Sequence, residues 1–271
     1  MNIVVCVKHV PDATADRQFE SDNTVDRGGV PGLMSELDEY AVEQSLQLKE
    51  KRAGDGGGEE VTVTALTVGP QGAAEGLKKA LQMGADAGVH VVDDAIAGSD
   101  AVATAKVLAG AIRKIGQSQG GADLVVCGMA STDGDMGVVP AMLAELLDLP
   151  QVTFGSVVES QGNEFRIKRD GENATEVIGA TAPLVLSVTD QSGEARYPSF
   201  KGIMAAKKKP VETWGLSDIG VDASEVGADA AWTAVTSTEA RPPRSKGEVV
   251  TDEAGSGAKA LVDFLASKKF I

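Results

Sequence analysis

Four short β-branched runs punctuate the first half of the chain: Ile3–Val7, Val61–Val68, Val89–Val92 and Leu124–Cys127. A stretch with helical spacing follows each one. After the first run and a Gly- and Asp-rich crossing comes a predicted helix from Glu36 to Arg52, with Leu37, Ala41 and Leu48 on one face. After the second, Ala73, Leu77, Ala80 and Leu81 recur at helical spacing. After the third, Val102, Ala105, Ala109 and Ile112 form the stripe of a helix from Ser99 to Ile115, with Ser99 and Asp100 as cap residues. Strictly alternating strand and helix is the pattern of a mostly parallel sheet covered on both faces, an α/β fold.

The pattern changes beyond Pro150. Val152–Val158, Glu164–Lys168 and Thr175–Ile178 read as antiparallel strands joined by the turns QGN and DGEN. Pro183–Val188 reads as one more buried strand. From Thr189 onward Gly, Pro and Lys accumulate, and the next apolar stripe is a short amphipathic helix over Ala258–Lys268. The division expected is therefore an α/β domain over 1–190 and a thin extended arm over 191–271 with little core of its own, either disordered or laid against a partner. Gly54–Glu60 reads as an exposed loop, and Arg241–Arg244 as an extended linker.

Composition removes several function classes. A net charge of −15 argues against nucleic acid and against an anionic membrane surface. No apolar run reaches the roughly 18 residues that span a bilayer. Met1–Val10 lacks a basic leader and cleavage site, so a cytoplasmic protein is expected. Both cysteines, Cys6 and Cys127, lie in apolar runs, which fits a reduced compartment. The first strand is followed by KHVPDATADR, with no GxGxxG, and GxxxxGK[ST] is missing as well. His9 and His90 have no cysteine pattern beside them, so no zinc site is expected. No nucleophile motif is present, and no catalytic residue is assigned.

Two stretches carry candidate function. The first is Ser131–Leu147, STDGDMGVVPAMLAELL, at the carboxyl end of the fourth strand. A calcium loop counted from Asp133 would need Gly at Val138 and Glu at Ala144, so it fails. As a helix start, Thr132 or Asp133 would be the cap, with Val139, Leu143, Leu146 and Leu147 facing the sheet. As a ligand loop, Gly128, Gly134 and Gly137 admit close approach, and free backbone N–H groups hold a phosphate, as of a nucleotide monophosphate. The acids would then have to point away. The second stretch is Arg196–Lys209, RYPSFKGIMAAKKK. Either Phe200, Ile203 and Met204 are core and the lysines a solvated run, or the segment is an exposed anchor beside a positive patch that docks an acidic partner.

These stretches, with IVVCVKHVPD, LDEYAVEQSLQLKE and VGPQGAAEGLKKALQMGAD, resemble the β subunits of electron transfer flavoproteins, particularly the bacterial, actinobacterial type. The resemblance covers almost the whole chain. It implies a Rossmann-like α/β domain whose C-terminal arm wraps an α subunit holding most of the redox FAD. Electrons come from acyl-CoA and related dehydrogenases and pass towards the respiratory chain, with a membrane quinone oxidoreductase as a further partner. In this family the β subunit buries AMP in a structural role, or, in bifurcating relatives, a second FAD that exchanges hydride with NADH. A stand-alone nucleotide-binding module of stress-protein type is the competing reading.

By resemblance, the nucleotide site falls on Cys6, Ser35, Glu36, Leu37, Asp38 and Val68. It continues through Gly128, Met129, Ala130, Ser131, Thr132, Asp133, Gly134, Asp135, Met136, Gly137, Val138 and Val139. Many AMP-binding members carry Asn-Gln-Thr-Gly where this chain has Gly137, Val138, Val139 and Pro140; backbone contacts remain there and side-chain contacts are lost. The docking segment falls on Tyr197, Phe200, Ile203, Met204, Lys207, Lys208 and Lys209, with Phe200 as the anchor that is Leu in many members. Ala195 stands where the family often has Pro, which implies a less rigid approach to this segment.

Overall fold

The computed structural model describes residues 1–54, 60–239, 242, 247, 249–252 and 255–271. The Gly- and Glu-rich patch after Gly54 and most of the Arg241–Arg244 linker lie outside these. The chain divides into two compact units, Met1–Thr236 and Ser237–Ile271.

In the first unit the elements run β1 (Asn2–Cys6), β2 (His9–Pro11), β3 (Gly32–Met34), α1 (Glu36–Gly54), β4 (Thr62–Val68), α2 (Ala74–Met83), β5 (Ala87–Val91), α3 (Ala101–Gln119), β6 (Leu124–Gly128) and α4 (Val139–Leu147). Then come β7 (Gln151–Gly155), β8 (Val157–Gln161), β9 (Glu164–Asp170), β10 (Thr175–Thr181), β11 (Leu184–Val188), α5 (Phe200–Ala206) and β12 (Val211–Trp214). Seven strands form one sheet in the order β12-β5-β4-β1-β6-β11-β7. Every neighbouring pair is parallel. β8, β9 and β10 form a separate antiparallel sheet, and β2 pairs with β3.

Alternation along the strands sorts side chains onto two faces. Ile3, Val5 and Val7 pack with Ala41, Val42 and Leu46 of α1 and with Leu77 and Leu81 of α2. Val4 and Leu66 pack with Val107, Ile112 and Ile115 of α3 and Leu143 of α4. Helix ends follow local chemistry. Glu36, Asp38 and Glu39 open α1 while Lys51 and Arg52 close it, each sign matched to the helix dipole. The Asp100 carboxylate caps α3 by accepting from the Ala103 N–H at 3.0 Å.

Two strand expectations are corrected. Val152–Val158 is not one antiparallel strand. Gln151–Gly155 runs parallel to β11, and the chain swings out at Phe154, whose φ is +62°. Ser156 then bonds Lys168 O through its N–H at 2.8 Å and starts the antiparallel sheet. The stretch after Thr189 also carries more structure than its composition suggests. β12 adds a parallel edge strand beside β5, and Trp214, Leu216, Ile219 and Val226 are buried in the α3 face. Four strand residues with one buried side leave little period to read.

The second unit contains, among its described residues, α6 (Ser256–Ser267), close to the amphipathic helix expected. Leu261, Val262 and Phe264 on it are exposed. No helix among the described residues is long and apolar enough to cross a membrane.

Candidate functional site

The chain leaves β1 for β4 and β5 on one side, then returns through α3 to β6 on the other. Where winding reverses, the loops that follow β1 and β6 diverge, the place at which open α/β sheets form a ligand crevice. Cys6 and Gly128 end these two strands. The start of α1 closes one wall. Ser35 donates its backbone N–H to Lys8 O at 2.8 Å, and Asp38 donates its own to Ser35 O at 2.9 Å. The buried Asp38 carboxylate accepts the Lys8 backbone N–H at 2.8 Å. Gly128 is packed against this turn: a Cβ there would lie 2.7 Å from both Asp38 Oδ1 and Leu37 O, so only glycine fits without movement. Burial pushes the Asp38 carboxyl up to about 7, against the opposing pull of the Lys8 N–H and ammonium.

The loop after β6 explains its acids. Asp133 turns inward, its side chain 1% exposed, and pairs with Lys8 Nζ at 2.9 Å and Arg27 at 2.5 Å. Burial alone would raise its pKa, but Lys8, the Ser131 hydroxyl and Arg27 outweigh burial and hold the carboxyl well below the usual range. Arg17 donates to Thr132 O at 2.7 Å. Two cations thus pair with one buried carboxylate and a third holds the neighbouring carbonyl, in a chain of strong net negative charge. The Thr132 N–H points to Ser35 Oγ at 3.4 Å, which ties the loop to the α1 wall. The Thr132 hydroxyl is buried and has no hydrogen-bond partner.

The helix-cap expectation is corrected here. α4 begins at Val139, with Val138 in the cap position; valine carries no acceptor, so there is no side-chain cap bond, and Pro140 in the first turn leaves one fewer N–H to satisfy. Thr132 and Asp133 are anchors of the loop and not caps. Leu143 is buried as expected, and Val139, Leu146 and Leu147 are partly so.

The structure therefore gathers Cys6, Ser35, Leu37, Asp38, Gly128, Ser131, Thr132 and Asp133 around one crevice. Val68 ends the adjacent strand β4. Glu36, Gly134, Asp135 and Met136 are exposed; Met129, Ala130, Gly137 and Val138 line the half-buried part of the loop. Lys8, Arg17 and Arg27 were missed by sequence reasoning. Their signal was available: they are three of the few basic residues in an acid-rich crossing, at the end of β1.

The second stretch has the opposite character. Ser199 caps α5 by accepting the Gly202 N–H at 3.0 Å. Tyr197 is 93% exposed and Phe200 81%; Ile203 and Met204 are also exposed. The segment is thus an exposed apolar patch and not core. Its approach is nonetheless tied to α1. Arg196 reaches Glu43 at 2.6 Å and Glu50 at 2.5 Å, both on α1, and its backbone N–H also donates to Glu43 at 3.1 Å. Gln44 donates to Ser192 O at 2.7 Å. These bonds hold the approach at Ala195 onto α1. Lys207 and Lys208 are exposed, whereas Lys209 donates to Leu81 O at 2.8 Å, and partial burial lowers its pKa. Of these three lysines, the first two are free in solvent.

Comparison with known proteins agrees with this geometry. The profile of the electron transfer flavoprotein domain matches residues 22–219. The electron transfer flavoprotein subunit beta of Mycobacterium tuberculosis is 44% identical over 271 residues, covering 100% of this chain and 99% of that protein. The same subunit of Thermoanaerobacterium thermosaccharolyticum is 36% identical over 272 residues, covering 100% of each. Protein FixA of Bradyrhizobium diazoefficiens is 33% identical over 97% of this chain and 90% of its own length. With the parallel sheet, the reversal crevice and full-length similarity together, the chain belongs to the electron transfer flavoprotein β-subunit family.

Proposed function

We propose that the chain is the β subunit of a heterodimeric electron transfer flavoprotein, a carrier without substrate turnover of its own. In this reading an α subunit holds the redox FAD, and the flavin supplies the electron-carrying chemistry. The segment Tyr197–Lys209 docks acyl-CoA and related dehydrogenases, and electrons leave towards the respiratory chain, through a membrane quinone oxidoreductase. The expected setting is cytoplasmic. The region from residue 191 onward carries the docking segment and the arm that packs on the α subunit, for which the exposed apolar face of α6 is suited.

The crevice between β1 and β6 holds a nucleotide, AMP, in a structural role. The observation that carries this part is the loop itself: a buried Thr132 hydroxyl without a partner, beside Lys8, Arg17 and Arg27. A buried hydroxyl with no partner costs about 1–3 kcal/mol, which a ligand oxygen would offset. The cations answer the objection that acids would repel a phosphate, since Asp133 is already paired. Backbone N–H groups of the loop replace the side-chain contacts that Gly137, Val138 and Val139 do not offer.

Denaturing the purified heterodimer and identifying the released nucleotides tests this reading. Equal amounts of AMP and FAD are expected. FAD in place of AMP would favour a bifurcating subunit that oxidises NADH. Release of no nucleotide beyond the partner's FAD would overturn the reading of the crevice.

A further inference from the structure

The chain has two cysteines. They come from distant parts of the sequence and fold into side-by-side positions. β1 and β6 pair in parallel with Val5 opposite Val126, so Cys6 and Cys127 stand one step beyond as the next cross-strand neighbours. Alternation sends both side chains to the same face, the one that also holds Val4 and Val125. Both are free thiols. Adjacent strands run about 4.7–4.9 Å apart, which lies inside the 4.4–6.8 Å Cα separation that a disulfide spans.

The strand ends are also prevented from splaying. From the opposite face, Asp38 accepts the Lys8 N–H beyond β1 and packs on Gly128 at the end of β6. One carboxylate thus bridges the two strand ends next to the two thiols. The thiols differ in access. Cys127 is buried, and Cys6 is half-buried at the floor of the crevice. A hydrogen bond to the Cys6 thiol, together with burial, pushes the Cys127 thiol up, so it stays protonated. Cys6 is a lining position of the proposed nucleotide site, but nothing in the electron-carrier reading needs the chemistry of either sulfur, and valine or alanine would fill the same core.

We propose that Cys6 and Cys127 form a redox-active dithiol that closes to an intrachain disulfide when the protein meets a peroxide. Cys6, the more accessible sulfur, attacks the peroxide. An S–O bond forms, the O–O bond breaks, and the hydroxide released takes the thiol's proton and leaves as water. Cys127 then displaces hydroxide from the Cys6 sulfenic acid, and its own proton completes a second water. In sum, two thiols and one hydrogen peroxide give one disulfide and two waters; the sulfurs are oxidised and the peroxide oxygens reduced. The bond ties together the two strand ends that frame the crevice, a short distance from Asp38 and Lys8.

The test treats the full chain with increasing hydrogen peroxide, denatures it in an alkylating reagent, and reads the peptides carrying Cys6 and Cys127 by mass. Both thiols should disappear together, the linked peptides should weigh less by a pair of hydrogen atoms, and dithiothreitol should restore both. In Cys127→Ala, which keeps an apolar group in the buried position, Cys6 should gain oxygen in place of a disulfide. Cys6→Ser should leave Cys127 unreacted at the dose that closes the wild-type pair. Oxygen added to Cys6 in the wild type without a linked peptide, a disulfide between chains, or both thiols intact at the dose that oxidises Cys6 in Cys127→Ala would each overturn the proposal.

Discussion

The crevice loop Ser131–Val139 and the segment Tyr197–Lys209 are alike in sequence character: each follows a strand, is rich in small residues and carries clustered charge. They end up in opposite states. The crevice loop turns its charge inward, where Asp133 meets Lys8 and Arg27, and leaves a buried hydroxyl unpartnered. The docking segment turns its apolar side chains outward on a helix clamped by Arg196, and leaves Lys207 and Lys208 in solvent. The difference is the one the proposed roles require: a small polar ligand would complete a loop that lacks polar partners, and a protein surface a segment that lacks apolar ones.

The comparison can be broken most directly at two glycines. In the crevice, Gly128→Ala puts a Cβ 2.7 Å from Leu37 O inside a packed wall. A loss of about 3 kcal/mol in unfolding free energy is expected, because neither the strand nor α1 can retreat. In the docking segment, Gly202→Ala meets Gln82 O at 2.4 Å, also backbone, but α5 buries none of its residues and can shift outward about the Arg196 anchor that precedes it. Its cost should be nearer 1 kcal/mol. Urea unfolding of both variants measures the difference, and equal losses would remove the contrast between a buried wall and a mounted surface.

Phe200→Ala should do the reverse. Stability should change by less than about 0.5 kcal/mol, since the ring is exposed. Electron delivery from a dehydrogenase should slow by about 2 kcal/mol in binding, roughly 30-fold at sub-saturating concentration. An unchanged rate in stopped-flow flavin reduction would contradict the docking role.

The two acids of the crevice should respond to pH with opposite signs. Asp38 has a folded pKa of about 7 against an ordinary value of 3.8. Between these values the native state holds a proton that the unfolded chain has lost, so its contribution to stability falls as pH rises and levels off above 7. Asp133 is depressed, so it stabilises above 3.8 and loses that contribution as pH falls below it. Asp38→Asn should therefore flatten the decline in stability from pH 4 to pH 7, by about 1 kcal/mol or more over that range. Denaturant midpoints across that range would show it, and a slope as steep as the wild type's would refute the assignment to Asp38.

The smallest effect belongs to the lysines. Lys207→Gln with Lys208→Gln should lower the association rate a few-fold at low salt and reduce its dependence on ionic strength. Lys209→Gln should leave that dependence alone, because its ammonium is already engaged with Leu81 O. If all three lysines proved interchangeable in a salt titration, the distinction drawn from their burial would fail.

Much of this was legible in the chain as written. The β-branched runs of β1, β4, β5 and β6 and the stripes on α2 and α3 set the α/β class, because burial of one face imposes a period that composition cannot hide. The docking patch could be located but left undecided between core and surface: Phe200, Ile203 and Met204 have the same hydrophobicity in either place. β12 was missed because a four-residue edge strand shows one buried side chain. The split of β7 from β8 was missed because it depends on the left-handed backbone at Phe154, a residue that gives no local warning of it.

The sequence by itself determined the alternation of strand and helix, the place of the crevice loop after β6 and the apolar character of the docking segment, since each depends on neighbours a few residues apart. Tertiary structure alone decided what Asp133 does, where Arg196 anchors and that Cys6 lies beside Cys127. Those outcomes join residues from opposite ends of the unit, and their energies come from burial and from charge pairs that exist only after the sheet has formed.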